Sequence, residues 1–209
     1  MKAPVYIFEG TWWSSREVPL VLPYFEALSG SDSRIVLSHR TIRNAEDIRY
    51  YVKRLGKGER AFLYFACHCR QLRLYPVDGK SPIHRNALLE ALSEHREKAI
   101  GFVHFGCCEM VDSEKRRASL SELLDASGAQ WASGYTRDID WLRSTLFDLS
   151  LISEVFVEYR RTPRARPSLI LGSAKRFLDD HDQLARSLGF SALSRGPGGR
   201  HSLFPPRLR

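Results

Sequence analysis

Two long apolar runs constrain the fold of this chain more than any other feature of its sequence. They are AFLYFAC at 61–67 and AIGFVHFGC at 99–107, and each has the length of a β-strand. A strand that is apolar on both faces belongs inside a parallel sheet that helices cover on both sides. The two runs therefore predict neighbouring central strands of an α/β protein.

The segments around these runs alternate between strand and helix patterns. Further strands are predicted at 5–8, 34–39, 72–77 and 129–135. Helices are predicted at 19–28, 44–58, 81–95, 119–127, 140–159 and 169–187. Such alternation predicts an α/β three-layer sandwich, in which a mostly parallel sheet has helices on both faces.

Length and composition are those of an ordinary globular protein. The 209 residues fit one domain, and 43% of them are hydrophobic. No apolar run approaches the roughly 20 residues that a membrane helix needs, and the N-terminus lacks the pattern of a signal peptide. We therefore expect a cytoplasmic protein with reduced cysteines and no membrane contact.

The positive charge lies near the C-terminus. The net charge is +8, and residues 158–209 carry 11 Lys/Arg against 4 Asp/Glu. We divide the chain into a core at 1–160, a linker and helix at 161–190, and a basic, mobile tail at 191–209. A basic tail can contact nucleic acid or an acidic partner by charge alone, although a solvated tail would have the same composition.

All four cysteines lie where the two apolar runs end. Cys67 and Cys69 flank His68, and Cys107 and Cys108 end the second run. Because carboxyl ends of neighbouring parallel strands share an edge, His68 should lie near Cys107 or Cys108. A cysteine nucleophile needs such an imidazole to take and return its proton.

Purely structural roles and metal binding are also compatible with these residues. The histidine could be a polar residue at a strand end, and buried cysteines are usually inert. A zinc site from Cys67, His68, Cys69, Cys107 and Cys108 has unfavourable spacing, because adjacent strand residues point to opposite faces. We expect no metal and no cofactor.

The motifs around these residues resemble those of the caspase-like CHAT peptidases. FLYFACHC, followed by LYPVDGKSPIHRNALLEAL, is similar to the family's histidine motif, and GFVHFGCCEM is similar to its cysteine motif. GAQWASGYTRDIDW resembles the next strand, which lines the substrate pocket in such enzymes. The resemblance covers roughly 5–157 and implies a caspase-like fold.

The resemblance also implies roles for particular residues. It aligns His68 with the catalytic histidine and Cys108 with the nucleophile, while the amides of Cys69 and Cys108 would bind the oxyanion. The family has glycine where Cys69 stands and a glycine-rich turn where EMVDSEKRRAS follows Cys108. These departures leave Cys107 as a fallback nucleophile. The resemblance names no third orienting residue; by the strand-end argument, Glu9 at the end of the first strand could lie near the histidine, or it could cap a loop.

The pocket strand is followed by acidic and aromatic residues. Asp138 or Asp140 at a pocket floor would select arginine or lysine, and Trp141 could form a pocket wall. Alternatively, Asp140 caps the following helix and Asp138 is solvated. The sequence favours cleavage after a basic residue.

Together these observations favour a cytoplasmic cysteine endopeptidase that acts on protein substrates. The resemblance implies activation by a regulatory partner or signal, and a role in cell death or antiviral defence. The alternatives are a catalytically degenerate interaction module and a zinc-binding or nucleic-acid-binding protein. Nucleic acid would bind through the basic C-terminal region.

Overall fold

The computed structural model describes residues 2–12, 20–70, 73–77, 81–161, 167–196 and 198–204, without the side chains of residues 167, 168 and 204. The strands in these ranges are β1 (Ala3–Glu9), β2 (Ile35–Thr41), β3 (Ala61–Ala66), β4 (Cys69–Arg70), β5 (Arg73–Leu74), β6 (Ile100–Phe105), β7 (Trp131–Tyr135), β8 (Phe190–Gly196) and β9 (Gly199–Phe204). The helices are α1 (Leu22–Ser31), α2 (Ala45–Arg54), α3 (Arg85–Ser93), α4 (Arg116–Ser127), α5 (Trp141–Leu151), α6 (Val157–Arg161), α7 (Pro167–Asp180) and α8 (Asp182–Leu188).

The strands form a seven-stranded sheet in the order β2-β1-β3-β6-β7-β8-β9, beside a small β4-β5 hairpin. The first five strands of this order are parallel, and β8 and β9 are antiparallel. This confirms the predicted α/β fold with a mostly parallel sheet. It also places β3 and β6 side by side, with Phe65 opposite Phe105.

Helices cover both faces of the sheet because each buried strand presents apolar residues in both directions. Tyr64 and Ala66 of β3 pack with the cluster that includes residues of α1, α5 and α7. Leu63 and Phe65 pack with the cluster that includes residues of α2, α3 and α4. Burying each large apolar side chain contributes about 2–3 kcal/mol, so the two clusters hold the layers together.

Three of the predicted helices differ from the observed helices in their boundaries or continuity. The helix predicted at 119–127 begins three residues earlier, at Arg116, so Ser119 is buried inside α4. The helix predicted at 140–159 is interrupted by a π-helical turn, Ile152–Phe156, between α5 and α6. The helix predicted at 169–187 is divided into α7 and α8.

The prediction of a mobile basic tail at 191–209 was wrong for the residues described there. Phe190–Gly196 pairs with β7, and Gly199–Phe204 pairs with the strand before it. Buried residues such as Ala192 and Ser194 lie in the sheet. The strand pattern was missed because Ser, Gly and Arg favour loops, whereas an edge hairpin accepts them when one side pairs with a formed sheet.

Part of the basic charge in this hairpin forms ion pairs at the surface of the fold. Arg195 and Arg200 both contact the Asp125 carboxylate, at 3.2 and 2.6 Å. Arg195 also donates to the carbonyl oxygens of Leu124 and Ala129. These two arginines therefore fasten the hairpin to the end of α4.

Some predictions fall on residues that the structure does not describe. They are the linker at 162–166, the DGK part of the histidine motif at 78–80, and the tail residues 205–209. Among the described residues, no helix has the length and apolar character needed to span a membrane.

Candidate active site

The loops after β3 and β6 carry the two cysteine stretches at one edge of the sheet. His68 follows Phe65 by three residues, and Cys108 follows the paired Phe105 by three residues. The Gly106 amide donates to the Phe65 carbonyl at 3.0 Å, so the pairing continues into the loops. Since paired strands lie roughly 4.8 Å apart, His68 and Cys108 leave the sheet side by side.

His68 is held through its backbone and its ring. Its amide donates to the Thr11 carbonyl at 2.6 Å, and its own carbonyl accepts from the Tyr75 amide at 3.0 Å. Its ring lies against the Tyr75 ring, with 5.2 Å between centroids. The side chain is partly exposed. The loop after β1 and the strand end at Tyr75 thus position the histidine while leaving it accessible.

Cys108 is the most exposed of the four cysteines, which are all free thiols. Burial raises the pKa of its thiol, the Ile139 amide opposes this by a hydrogen bond, and the Asp138 charge raises the pKa further. Among the described residues, no hydrogen bond joins Cys108 to His68. The net effect of its surroundings is a Cys108 pKa above that of an ordinary thiol.

The other three thiols form a buried cluster beside it. Burial raises the pKa of Cys107 well above its usual range, and contacts with the Cys67 and Cys69 thiols raise it further. Cys69 also contacts the sulfur of Met110 at 3.6 Å. The described residues contain no group of three or more His, Cys, Asp or Glu side chains placed to hold a metal ion.

The backbone directly after Cys108 is strained. Glu109 has a φ of 47°, in the left-handed region that glycine adopts more easily. Its amide donates to the Arg137 carbonyl at 3.3 Å, and the Val111 amide donates to the Tyr135 carbonyl at 3.1 Å. The loop therefore reaches a glycine-like conformation without glycine and is fastened to the segment after β7.

Asp138 and Asp140 differ in their partners. Asp140 caps α5, accepting from the Arg143 amide at 2.8 Å. Asp138 is exposed, and its charge acts on the Cys108 thiol. Trp141 is partly buried and packs edge-on against Trp12 and Tyr24. Of the two carboxylates, Asp138 is the one beside the candidate nucleophile.

Glu9 has other partners than His68. Its two carboxylate oxygens contact the Val21 amide at 3.0 Å and His39 Nε2 at 2.6 Å. Both oxygens are therefore occupied by contacts with β2 and with the start of α1.

A buried polar network below the site was not anticipated from the sequence. Asp148 of α5 accepts from the hydroxyls of Tyr64 and Tyr135, at 2.8 and 2.5 Å, and its Oδ1 lies 2.7 Å from His104 Nε2. His104 Nδ1 contacts Ser133 Oγ at 2.7 Å. His104, whose position inside an apolar strand pattern indicates a core residue, is hydrogen-bonded within the core. Asp148 gives no such signal, because a single aspartate in an amphipathic helix pattern looks solvent-facing.

Comparison of the fold with solved structures identifies structural relatives of the chain. No protein-family model matches the sequence, and no curated protein matches it. A secreted C11 cysteine protease from Bacteroides thetaiotaomicron, solved with an irreversible peptide inhibitor, has a TM-score of 0.55 at 11% identity. An inactive zymogen C11 protease from Parabacteroides distasonis has a TM-score of 0.53 at 15% identity.

The chain has the fold of the C11 cysteine proteases. Each comparison covers 93% of this chain, but only 66% and 62% of the two C11 chains. The chain thus spans just under two thirds of the length of these relatives. The predicted caspase-like fold is confirmed, and the narrower resemblance to CHAT peptidases rests on the sequence motifs.

Proposed function

We propose that this chain is a cysteine endopeptidase with Cys108 as nucleophile and His68 as general base and acid. The observation that carries the proposal is the pairing of Phe65 with Phe105 in adjacent strands. His68 and Cys108 each follow one of these paired residues by three positions. That arrangement occurs here in a fold shared with C11 cysteine proteases. Cys107 is a poorer nucleophile, because it is fully buried and its pKa is raised well above that of a free thiol.

Formation and hydrolysis of the acyl-enzyme each need two proton transfers. His68 takes the Cys108 proton as the sulfur attacks the substrate carbonyl carbon. The protonated His68 then gives that proton to the departing amine, which leaves an acyl group on Cys108. Water attacks the acyl carbon while His68 takes its proton, and the thiol is regenerated when His68 returns it.

Backbone amides would stabilise the oxyanion that forms at the carbonyl. Leu74, opposite Cys69, exchanges both of its backbone hydrogen bonds with Ile83. In an antiparallel pair, Cys69 and Leu74 are then a non-hydrogen-bonded pair, so the Cys69 amide points away from β5. With the Cys108 amide it forms the proposed oxyanion site, and each such donor typically contributes about 3 kcal/mol to catalysis.

The acidic residue beside the nucleophile supports cleavage after arginine or lysine. Asp138 is exposed and close enough to Cys108 for its charge to raise the pKa of the thiol. A substrate cation at this position would form a charge-assisted hydrogen bond with the carboxylate. Asp140 is the weaker candidate, because its carboxylate already accepts from the Arg143 amide.

The resting state favours control by an activating protein partner or signal. Burial raises the pKa of Cys108, and among the described residues no hydrogen bond joins it to His68, so the proposed reaction requires these two side chains to come together. Catalytic hydrogen bonds often shorten only when substrate binds. If His68 and Cys108 never came together, the chain would instead be a catalytically degenerate interaction module.

The test is hydrolysis of fluorogenic peptides that differ only in the residue before the cut. We expect peptides with Arg or Lys there to be cleaved, with kcat/KM at least about 100-fold above the peptide with Asp, since a charge mismatch costs several kcal/mol. Cys108→Ala and His68→Ala should each lower kcat/KM by about 1,000-fold or more. Asp138→Asn should remove most of the preference for basic residues.

Cys107→Ala is the matched control, because it removes the adjacent thiol. It should retain kcat/KM within about threefold. Loss of activity in Cys107→Ala but not in Cys108→Ala would show that Cys107 is the nucleophile. No cleavage of any peptide, with or without added cell extract, would favour the interaction module.

A further inference from the structure

Asp148 carries a buried carboxylate where three strands of the sheet meet one helix. It accepts hydrogen bonds from Tyr64 of β3 and Tyr135 of β7, and it lies beside His104 of β6. All four side chains are almost completely shielded from solvent. A carboxylate in such surroundings is costly unless its oxygens are well paired, and here both oxygens have partners.

The three strands that Asp148 joins are those that carry the proposed catalytic site. Tyr64 and His104 each precede a proposed catalytic residue, His68 and Cys108, by four positions. Tyr135 precedes the proposed specificity residue Asp138 by three positions. The carboxylate therefore ties together the ends of β3, β6 and β7 a few residues below the site.

The nucleophile loop rests directly on this network. A Cβ on Gly106 would lie 2.2 Å from Tyr64 Oη and 2.9 Å from Asp148 Oδ2. Only glycine permits this approach, and Gly106 is two residues before Cys108. The backbone of the loop at Gly106 therefore lies close against the Tyr64 hydroxyl and the Asp148 carboxylate.

The network also defines the orientation of the His104 ring. Ser133 Oγ lies 2.7 Å from His104 Nδ1 and accepts from Trp131 Nε1 at 2.6 Å. The Ser133 hydroxyl can then donate to Nδ1. Nε2 lies 2.7 Å from Asp148 Oδ1 without the geometry of a hydrogen bond, so the two tyrosine hydroxyls are the donors that join β3 and β7 to the carboxylate.

We propose that Asp148 is a positioning residue, which sets the distance between His68, Cys108 and Asp138 by fixing the ends of their strands. This inference rests on the proposed function for its catalytic consequence, but its structural part stands without activity. An apolar core would stabilise the sheet at least as well. What the carboxylate adds to the backbone pairing of β3, β6 and β7 is a shared side-chain contact, which fixes the ends of these strands against α5.

The first experiment measures backbone amide exchange in the loop at 106–111, by mass spectrometry of peptides from the folded chain. We compare Tyr64→Phe, Tyr135→Phe and Asp148→Asn with the unaltered chain. Tyr159→Phe is the matched control, because this buried tyrosine lies at the opposite ends of the strands, near Gly101. We expect exchange in the loop to rise about tenfold in the first three variants and to stay unchanged in the control.

Exchange in β1 serves as the internal reference. If exchange rises equally in β1 and in the loop, Asp148 is a general stabilising residue and the proposal is wrong. The proposal is also wrong if the folded variants exchange at the original rate. If Asp148→Asn fails to fold, loop exchange in Tyr64→Phe and Tyr135→Phe still tests the proposal, because each of these variants loses only one hydroxyl.

The second experiment measures kcat and KM on the Arg peptide, normalised to the sites that a peptidyl electrophile labels. Tyr135→Phe should raise KM several-fold and lower kcat about tenfold, because it loosens the strand that leads to Asp138. Tyr159→Phe should stay within about twofold of the unaltered chain. Loss of folded protein alone would change neither normalised kcat nor KM, so unchanged values in Tyr135→Phe would overturn the proposal.

The two experiments separate the two proposals. If the unaltered chain cleaves nothing, the proposed function fails, and the exchange result still decides whether Asp148 fixes the strand ends. If the chain is active but loop exchange is insensitive to Tyr64, Tyr135 and Asp148, only the positioning role fails.

Discussion

The buried network around Asp148 and the loop site above it differ in how far their polar groups are satisfied. In the network, Tyr64 and Tyr135 donate to one carboxylate, and none of these groups reaches solvent. In the site, Cys108 and His68 are partly exposed and have no hydrogen bond to each other in the described residues. Two regions within a few residues of each other thus have opposite properties.

This difference shows that one end of a small sheet can combine a fixed polar network with polar side chains that remain available to a ligand. A site is well defined when the residues beneath it are locked by packing and hydrogen bonds. In the proposed mechanism, His68 and Cys108 must stay available for substrate, so a hydrogen bond between them would form only when substrate binds. The strained φ of Glu109 belongs to the site, where such strain commonly occurs.

The largest effect should come from breaking the contact between the two regions. Gly106→Ala would place a methyl group against the Tyr64 hydroxyl and the Asp148 carboxylate. We expect the free energy of unfolding to fall by about 3 kcal/mol or more, because backbone and buried polar atoms must shift. Denaturant unfolding measures the change.

Gly30→Ala is the control for that substitution. Gly30 lies in α1, and a Cβ there would meet no atom within 4 Å. Alanine is the better helix former, so this change should stabilise the chain by roughly 0.5–1 kcal/mol. Equal effects of the two substitutions would show that the loop does not rest on the network.

A smaller effect is expected from relieving strain within the site. Glu109→Gly should raise the free energy of unfolding by about 1 kcal/mol, because glycine adopts a φ of 47° at little cost. Glu114→Gly is the matched control, since Glu114 is exposed and has no positive φ. It should be neutral or destabilising. A destabilising Glu109→Gly would mean that the Glu109 side chain contributes more than its backbone costs.

The smallest effect concerns the charge near the nucleophile. Burial, and then the Asp138 anion, raise the pKa of Cys108. The rate of Cys108 alkylation by iodoacetamide should therefore be low at neutral pH and still rise above about pH 9, since the thiolate is the reactive form. Asp138→Asn removes one cause of the raised pKa and should speed alkylation at about pH 8.

The increase should be less than about threefold, because an exposed charge is screened by solvent and salt. Asp140→Asn is the control and should leave the rate unchanged, since its carboxylate is at the start of α5. A slower reaction in Asp138→Asn would reverse the sign of the electrostatic argument.

The sequence alone was sufficient to predict the parallel part of the sheet. Two apolar runs predicted adjacent buried strands, and the structure pairs them with Phe65 opposite Phe105, three residues before His68 and Cys108. The reason is physical: a strand buried on both faces leaves a continuous apolar pattern that few other structures produce. The capping role of Asp140 was one of the two roles that the sequence left open, and the structure supports it.

What the sequence could not show depends on contacts between distant residues. The network joins Tyr64, Tyr135 and Asp148, and no local pattern marks an aspartate whose partners come from other strands. The β8-β9 hairpin was missed because its polar composition becomes a strand only beside a formed edge. The left-handed Glu109 was missed because glycine is the usual residue for that conformation.

The most direct test of the central claim is the labelling of the chain with a peptidyl acyloxymethyl ketone that carries arginine next to the reactive group. Mass spectrometry of the digest identifies the modified cysteine in the unaltered chain and in His68→Ala. We predict one label per chain at Cys108 and slowing by about 100-fold or more in His68→Ala, the scale of a lost general base. Labelling at Cys107, or at Cys108 with a rate independent of His68, would contradict the proposed catalytic pair.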